Sequence, residues 1–237
     1  WSSGIKRGDE VITSPISFVA TANSIIHVGA KPVFVDVGDD LNINPDLIEA
    51  EITKNTKAIM PVHWTGRVCK MEKIIKIAKK YNLKIIEDAA QATGAYYKGK
   101  HAGTFGKISA FSTHPLKNLN AMGDGGFIIT NEKKLYDKIK LYRSHGLEGR
   151  DDAKVIGVNS RLDSLNAEVL SFRLKKLKKI IYRRKKNIEY YKKYIKTDKV
   201  IILNDDKSEK NAYVMFVTLA EKRDQLQKYL KKFNIQS

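Results

Sequence analysis

Apolar runs of four to six residues alternate with amphipathic stretches along the first ninety positions. Val11-Ile12-Thr13 follows a Gly8-Asp9-Glu10 turn and reads as a strand, broken by Pro15. Residues 18–28 place Val19, Ala22, Ile25 and Ile26 on one face of a helix, with Gly29 past its end and Pro32 shortly after. KPVFVDV (31–37) is a second strand rich in β-branched residues, and Asn44-Pro45-Asp46 opens a helix over 47–52. Residues 58–62 form a third strand, 71–81 a helix with Ile74, Ile75 and Ala78 on one face, and 84–87 a fourth strand. Short strands alternating with helices of about ten residues predict a mostly parallel sheet with right-handed crossovers and helices on both faces. Ligands of such sheets bind beyond the C-terminal strand ends. The loops carrying Ser17-Phe18, His63-Trp64 and Asp88 to Gln91 all leave those ends.

The pattern changes after Asp88. Tyr96-Tyr97 and Lys100-His101 flank Gly99 as a small hairpin. Residues 108–112 and 127–130 read as strands bracketing a loop that holds Lys117. A helix over 132–144 and a polar loop follow. Residues 164–195 read as one long helix, with Leu170, Leu174, Leu177, Ile181, Ile188, Tyr191 and Ile195 on its buried stripe. Strands at 200–203 and 214–219 and a helix over 224–233 complete the pattern. It predicts a large domain over 1–163, then a connecting helix and a partial, smaller α+β domain over 164–237.

Composition narrows the class. The 237 residues are 42% hydrophobic and 9% aromatic, enough for a substantial core, with no stretch long enough to span a membrane. The single cysteine, Cys69, excludes an internal disulfide and a multi-cysteine zinc site, and suits a cytoplasmic setting. The net charge of +18 is concentrated: residues 173–196 hold twelve Lys or Arg against one acid, Glu189. That distribution describes the solvated face of an amphipathic helix rather than a nucleic-acid surface, and no zinc-finger, RNA-recognition or basic-zipper pattern accompanies it. The chain starts at Trp1 rather than Met, within what reads as a helix end, so an upstream segment is expected.

Candidate chemistry lies between Leu83 and Thr130. Asp88 ends an apolar strand, where a carboxylate either caps the next helix or pairs with a cationic ligand. Lys117 stands in a loop between His114-Pro115 and the Gly123-Asp124-Gly125-Gly126 turn. Together they are the two groups that pyridoxal phosphate (PLP) chemistry requires: an acid to keep the ring nitrogen protonated and a lysine of lowered pKa to hold the cofactor and shuttle protons. Gln91 is placed to bond the phenolic oxygen, or is an ordinary polar residue of a first helical turn. Ser112 is placed to bond the phosphate, or closes a turn. Gly99, Gly103 and Gly106 lack dinucleotide-loop spacing, Gly106-Lys107 is followed by Ile108 rather than a hydroxyl residue, and the five histidines lack metal-ligand spacing.

The runs RGDEVITSPISFVATANSI, GAKPVFVDV, TKAIMPVHWTGR, IIEDAAQATGAYYKGKHAGTFG, AFSTHPLKNLNAMGDGGFIIT and GVNSRLDSLNAEVL resemble, in order, the DegT/StrS-type family of PLP-dependent sugar aminotransferases. The resemblance implies an aspartate-aminotransferase-like fold of type I. It also implies a homodimer with shared sites and amino transfer from glutamate to a nucleotide-diphosphate-linked keto-sugar, as in polysaccharide biosynthesis. It places the Schiff base on Lys117, the ring-nitrogen contact on Asp88, the phenolic contact on Gln91 and a phosphate ligand on Ser112. Phe18 takes the position of an aromatic stacked on the ring. Asn159 matches a residue that reaches the phosphate of the partner subunit's site, with Arg161 close by, and His63 and Trp64 match a loop at the substrate entrance. Thr113 departs from the family's usual aromatic. The family's phosphate-cradling helix start would precede Trp1, so this chain reads as an incomplete enzyme. A sugar dehydratase on the same fold and a non-catalytic basic binding protein stay as alternatives; the dehydratases carry histidine in place of the lysine.

Overall fold

Three adjacent residue pairs, Val11/Ile12, Ala58/Ile59 and Ile85/Ile86, decide how the sheet is covered. Successive strand residues point to opposite faces, so each pair sends one side chain to each side. In the computed structural model, which describes residues 1–237, Ile12, Ile59 and Ile85 belong to a core of 20 buried residues. Val11 and Ala58 lie in a second cluster, with Ile86 packed against it.

The elements run β1 (Glu10–Thr13), α1 (Ala20–His27), β2 (Lys31–Phe34), α2 (Pro45–Ile48), β3 (Thr56–Met60), α3 (Met71–Lys80) and β4 (Lys84–Asp88). Next come the hairpin β5 (Tyr96–Tyr97) and β6 (Lys100–His101), then β7 (Ile108–Ser112), β8 (Gly126–Ile129) and α4 (Lys133–Tyr142). The central sheet has six strands in the order β2-β1-β3-β4-β7-β8. All neighbours are parallel except β7 and β8. Ile48 of α2 and Met71, Ile74 and Ile77 of α3 bury into the larger core; Ile25 of α1 buries into the other. The sheet is therefore covered on both faces, as the alternation predicts.

Asn44 starts α2 as expected: its side chain accepts the N–H of Asp46 at 3.1 Å, and Pro45 occupies the first turn. Replacing Asn44 with alanine is expected to lower stability by about 1 kcal/mol in a urea titration, with no change at the candidate site.

The remaining elements are β9 (Leu147–Glu148), β10 (Asp152–Ala153), α5 (Ser164–Leu174), α6 (Leu177–Tyr194), β11 (Val200–Ile202), β12 (Glu209–Lys210), β13 (Thr218–Ala220) and α7 (Arg223–Lys232). β11 and β13 pair antiparallel, whereas β12 leaves them to pair with β5. The segment between β11 and β13 thus lies on the large body, burying Ala212 and Val214 in its core.

Three sequence expectations are corrected here. The long helix over 164–195 is two helices, because Lys176 donates to Arg173, three residues back, and tightens the turn. Leu170 and Leu177, on either side of the break, both pack against Leu119 and Ala121. The rest of the stripe is less covered: Leu174 and Tyr191 are 55% and 45% exposed. The strand expected over 214–219 is confined to β13, since Val214 donates its N–H to Thr65 instead. Finally, α1 buries Thr21 and Ile25 and exposes Val19 and Ile26. Its inward face carries a hydroxyl because that hydroxyl has a partner beneath it.

Candidate active site

That partner is Asp88. Thr21 Oγ1 donates to Asp88 Oδ2 at 2.6 Å, and the N–H of Ala90 donates to Oδ1 at 3.1 Å. A carboxylate only accepts, so the Thr21 proton is committed to it. Ser17 Oγ, 2.6 Å from Thr21 Oγ1, must then be the donor to Thr21. Asp88 ends β4, which lies between β3 and β7. Its position is therefore fixed by main-chain pairing on both sides.

Lys117 leaves the neighbouring β7 in a tight loop. Thr113 donates to Gly125, Ala121 to Thr113 and Lys117 to His114, at 2.9, 2.7 and 2.8 Å. Leu119 and Ala121 anchor this loop by burial against α5 and α6. Burial pushes the partly covered Lys117 amine below the usual lysine range, while the Asp88 charge pulls the other way. Lowering the pKa of a lysine amine favours addition to a carbonyl and proton exchange.

Gln91 is buried, and its side-chain oxygen accepts the N–H of Thr65 at 2.7 Å. That bond fixes the amide's orientation and leaves the nitrogen as the free donor. The structure thus places Lys117, in the loop after β7, where it feels the charge of Asp88 at the end of β4, and holds Gln91 three residues beyond Asp88.

His63 is not at an entrance. Its side chain is 0% exposed, and both ring nitrogens are engaged. Cys69 donates its N–H to Nδ1 at 3.2 Å, which makes Nε2 the protonated nitrogen, and Nε2 meets Glu87 Oε2 at 2.9 Å. Substrate contact by this ring is corrected to a structural role, since no surface of it is open. Glu87 also accepts the N–H groups of Gly103, Phe105 and Gly106 at 2.7, 2.7 and 2.5 Å. Burial pushes its carboxyl up, but the His63 bond and these backbone donors outweigh that and hold it below the usual range. The network escaped the sequence analysis, although an acid one position before a strand-end aspartate, on the opposite face, is its visible sign.

The other expected residues are placed as follows. Ser112 Oγ accepts the N–H of His114 at 3.2 Å, so the serine does close a turn. It also lines a cavity of about 540 Å³ together with Thr21 and Asp88, which neither Lys117 nor Gln91 reaches. Phe18 is 70% exposed. Trp64 is partly buried, its N–H donating to Asn42 Oδ1 at 3.0 Å. Asn159 and Arg161 are exposed, paired through Arg161 Nε and Asn159 Oδ1 at 3.2 Å. Ser160, between them, lines the same cavity as Asp88.

The profile of the DegT/DnrJ/EryC1/StrS aminotransferase family matches residues 2–237. The chain belongs to that family. Among curated relatives, the pleiotropic regulatory protein of Geobacillus stearothermophilus is 42% identical over 238 residues, covering 99% of this chain and 64% of the relative. The dTDP-3-amino-3,6-dideoxy-alpha-D-galactopyranose transaminase of Aneurinibacillus thermoaerophilus is 43% identical over 98% of this chain and 64% of its own length. The chain thus spans just under two thirds of these family members. Among solved structures, S. venezuelae DesV in complex with a ketimine intermediate superposes with a TM-score of 0.94 at 33% identity, over 98% of this chain and 63% of that one. A family aminotransferase from Brucella abortus gives 0.91 at 34%, over 98% and 65%. The fold is therefore that of the family's aminotransferases, the fold class expected from the sequence. No helix is long and apolar enough to cross a membrane.

Proposed function

We propose that the protein containing this chain is a PLP-dependent aminotransferase that moves an amino group from glutamate to a keto-sugar carried on a nucleoside diphosphate. It works as a cytoplasmic homodimer with shared sites. The observation that carries this reading is the placement of a partly buried Lys117, in the loop after β7, within reach of the charge of Asp88 at the end of the adjacent β4 of the family fold.

The residues fit the cofactor. Asp88, its carboxylate already oriented by Thr21 and Ala90, holds the pyridinium N–H. Gln91, its amide nitrogen left free by the Thr65 bond, would donate to the phenolic oxygen. Ser112 is suited to the phosphate and the exposed Phe18 to the ring face. When bound, PLP supplies the electron sink for carbanion chemistry at the substrate's amino-bearing carbon. Lys117 Nζ would hold the cofactor and, when free, move the proton; its burial lowers its pKa, the direction this role favours. Asn159 and Arg161, exposed on one chain, are suited to complete the partner subunit's site, and Trp64 to border the substrate. Residues 1–163 form the cofactor-binding domain, and 164–237 the connecting helices and part of the smaller domain.

The reading is tested by incubating the full-length product of the reading frame with PLP, glutamate and a panel of nucleotide-linked keto-sugars, with products followed by mass spectrometry. A sugar that gains an amine as glutamate becomes 2-oxoglutarate is the expected result. Loss of a sugar hydroxyl without amine gain would replace it with the dehydratase reading. In the same enzyme, Thr21→Val removes a hydrogen bond to a charged acceptor, worth about 1.5–3 kcal/mol. It should weaken PLP binding by at least about tenfold in an equilibrium titration.

A further inference from the structure

The segment between β11 and β13 contacts neither the Asp88 carboxylate nor the Lys117 amine, yet it reaches the neighbours of both catalytic loops. Ala212 donates its N–H to Gly66 and Val214 donates to Thr65, both at 2.9 Å, so the segment pairs with the loop after β3. Thr65 in turn donates its own N–H to Gln91. On its other side, the carbonyl of Ala212 accepts Asn118 Nδ2 at 2.6 Å. Asn118 follows Lys117 directly and is 3% exposed, and Ala212 is 0% exposed. One buried residue of the segment is thus bonded to both loops.

The backbone at this junction is strained. Thr65 has φ 59° and ψ 2°, a left-handed conformation that β-branched residues rarely adopt, and Tyr213 opposite it has φ 52°. Gly66, at φ 93°, admits the close approach: a Cβ there would stand 2.9 Å from Ala212 Cβ and 3.0 Å from the Gln91 carbonyl oxygen. Such conformations persist only where the surroundings over-determine them. Here Arg67 binds the carbonyl of Asn204 at 2.6 Å and Glu209 at 3.1 Å, Tyr213 Oη donates to Asp205 at 2.8 Å, and Arg184 of α6 donates to the carbonyl of Val214 at 2.9 Å.

We propose that residues 204–214 are a clamp that sets the active-site geometry from behind, orienting the Gln91 amide through Thr65 and the Lys117 loop through Asn118. The clamp belongs to the C-terminal part of the chain, so it ties that part to the chemistry without touching the reacting atoms. Thr65 and Asn118 are positioning residues for the reaction proposed above, and this assignment rests on that reading.

The test is made on the full-length holoenzyme with Asn118→Ala, with Gly66→Ala and with the double variant. The Cβ added at position 66 would meet Ala212 Cβ at 2.9 Å and the Gln91 carbonyl oxygen at 3.0 Å and push Thr65 away from Gln91. Each single variant should lower kcat about tenfold, with KM for glutamate changed less than about twofold. Because both act through the same segment, the double variant should lose at least about fivefold less than the product of the single losses. A parallel measurement needs neither cofactor nor turnover: chymotrypsin cleavage after Leu116, which is 76% exposed, should be severalfold faster in apo Asn118→Ala than in the apo wild type. Single variants with unchanged kcat, or losses that multiply independently, would overturn the clamp even if Tm fell. If the wild type transfers no amine, the functional reading fails, and cleavage alone decides the clamp: unchanged rates reject it and faster rates uphold it.

Discussion

Alanine at position 117 is expected to lower amino transfer by at least about 10³-fold, because in the proposed reading the substitution would remove both the cofactor's covalent anchor and the proton carrier. Positioned proton transfer by itself contributes roughly 10²–10⁴-fold, and the anchor adds to it. The loss should fall on kcat, since Asp88, Gln91 and Ser112 still offer noncovalent contacts to the cofactor. Borohydride reduction followed by peptide mass spectrometry checks the anchor directly: the wild type should carry the reduced adduct on Lys117 and the variant none. Wild-type turnover by the Lys117→Ala protein would remove the basis of the functional assignment. Stability should move the other way. The amine's pKa is lowered in the folded state, so folding disfavours its charge below the usual lysine range. Without that burden the apo variant should melt no lower than the wild type.

The second large effect is on folding. Glu87→Ala would leave the N–H groups of Gly103, Phe105 and Gly106 and the ring of His63 without their shared acceptor. Removing one partner from a buried charged network costs about 3–5 kcal/mol, a large part of the roughly 5–15 kcal/mol that holds a domain folded. For a domain of this size that is a fall in Tm on the order of 10 °C. The pH dependence carries a sign. Because the folded carboxyl titrates below its usual value, its contribution is complete above the unfolded pKa of about 4.3. It is lost as pH falls through the lowered folded value. Melting curves of wild type and variant should therefore converge in acid and separate toward neutral pH. A constant gap across that range would show that Glu87 acts by packing alone.

Much of the sheet was legible because its signal is local. Val11-Ile12, Ala58-Ile59 and Ile85-Ile86 are short apolar runs between turns, and their order forces parallel strands with crossovers. The candidates Asp88 and Lys117 stand out for an equally local reason, one as an acid ending an apolar strand and the other as a lysine in a Gly-bounded loop. What stayed hidden depends on contacts across the fold. Thr21 looks like the polar side of a helix until Asp88, 67 residues later, turns up beneath it. His63 resembles an entrance residue because its neighbours are polar, and only the buried Glu87 shows it to be internal. The break at Lys175-Lys176 is invisible in a stripe that continues through it. It follows from the packing of Leu170 and Leu177 on the Lys117 loop. The contacts of residues 204–214 with Thr65, Gly66, Arg67 and Asn118 could not be read from a polar stretch, since these partners lie more than ninety residues upstream.

The position of β4 in the sheet has a consequence for motion. β4 is paired on both sides, so its amides can exchange with solvent only when the sheet itself comes apart. The loop of Lys117, slung between β7 and the edge strand β8, needs only a local opening. In a deuterium-uptake experiment the amides of Ile85 to Asp88 should be among the last to exchange, and those around Leu116 among the first. In the proposed reading the division would suit the chemistry: the carboxylate would keep one partner and sits on a strand paired on both sides, while the lysine would release its partner in every turnover and sits where the chain can give.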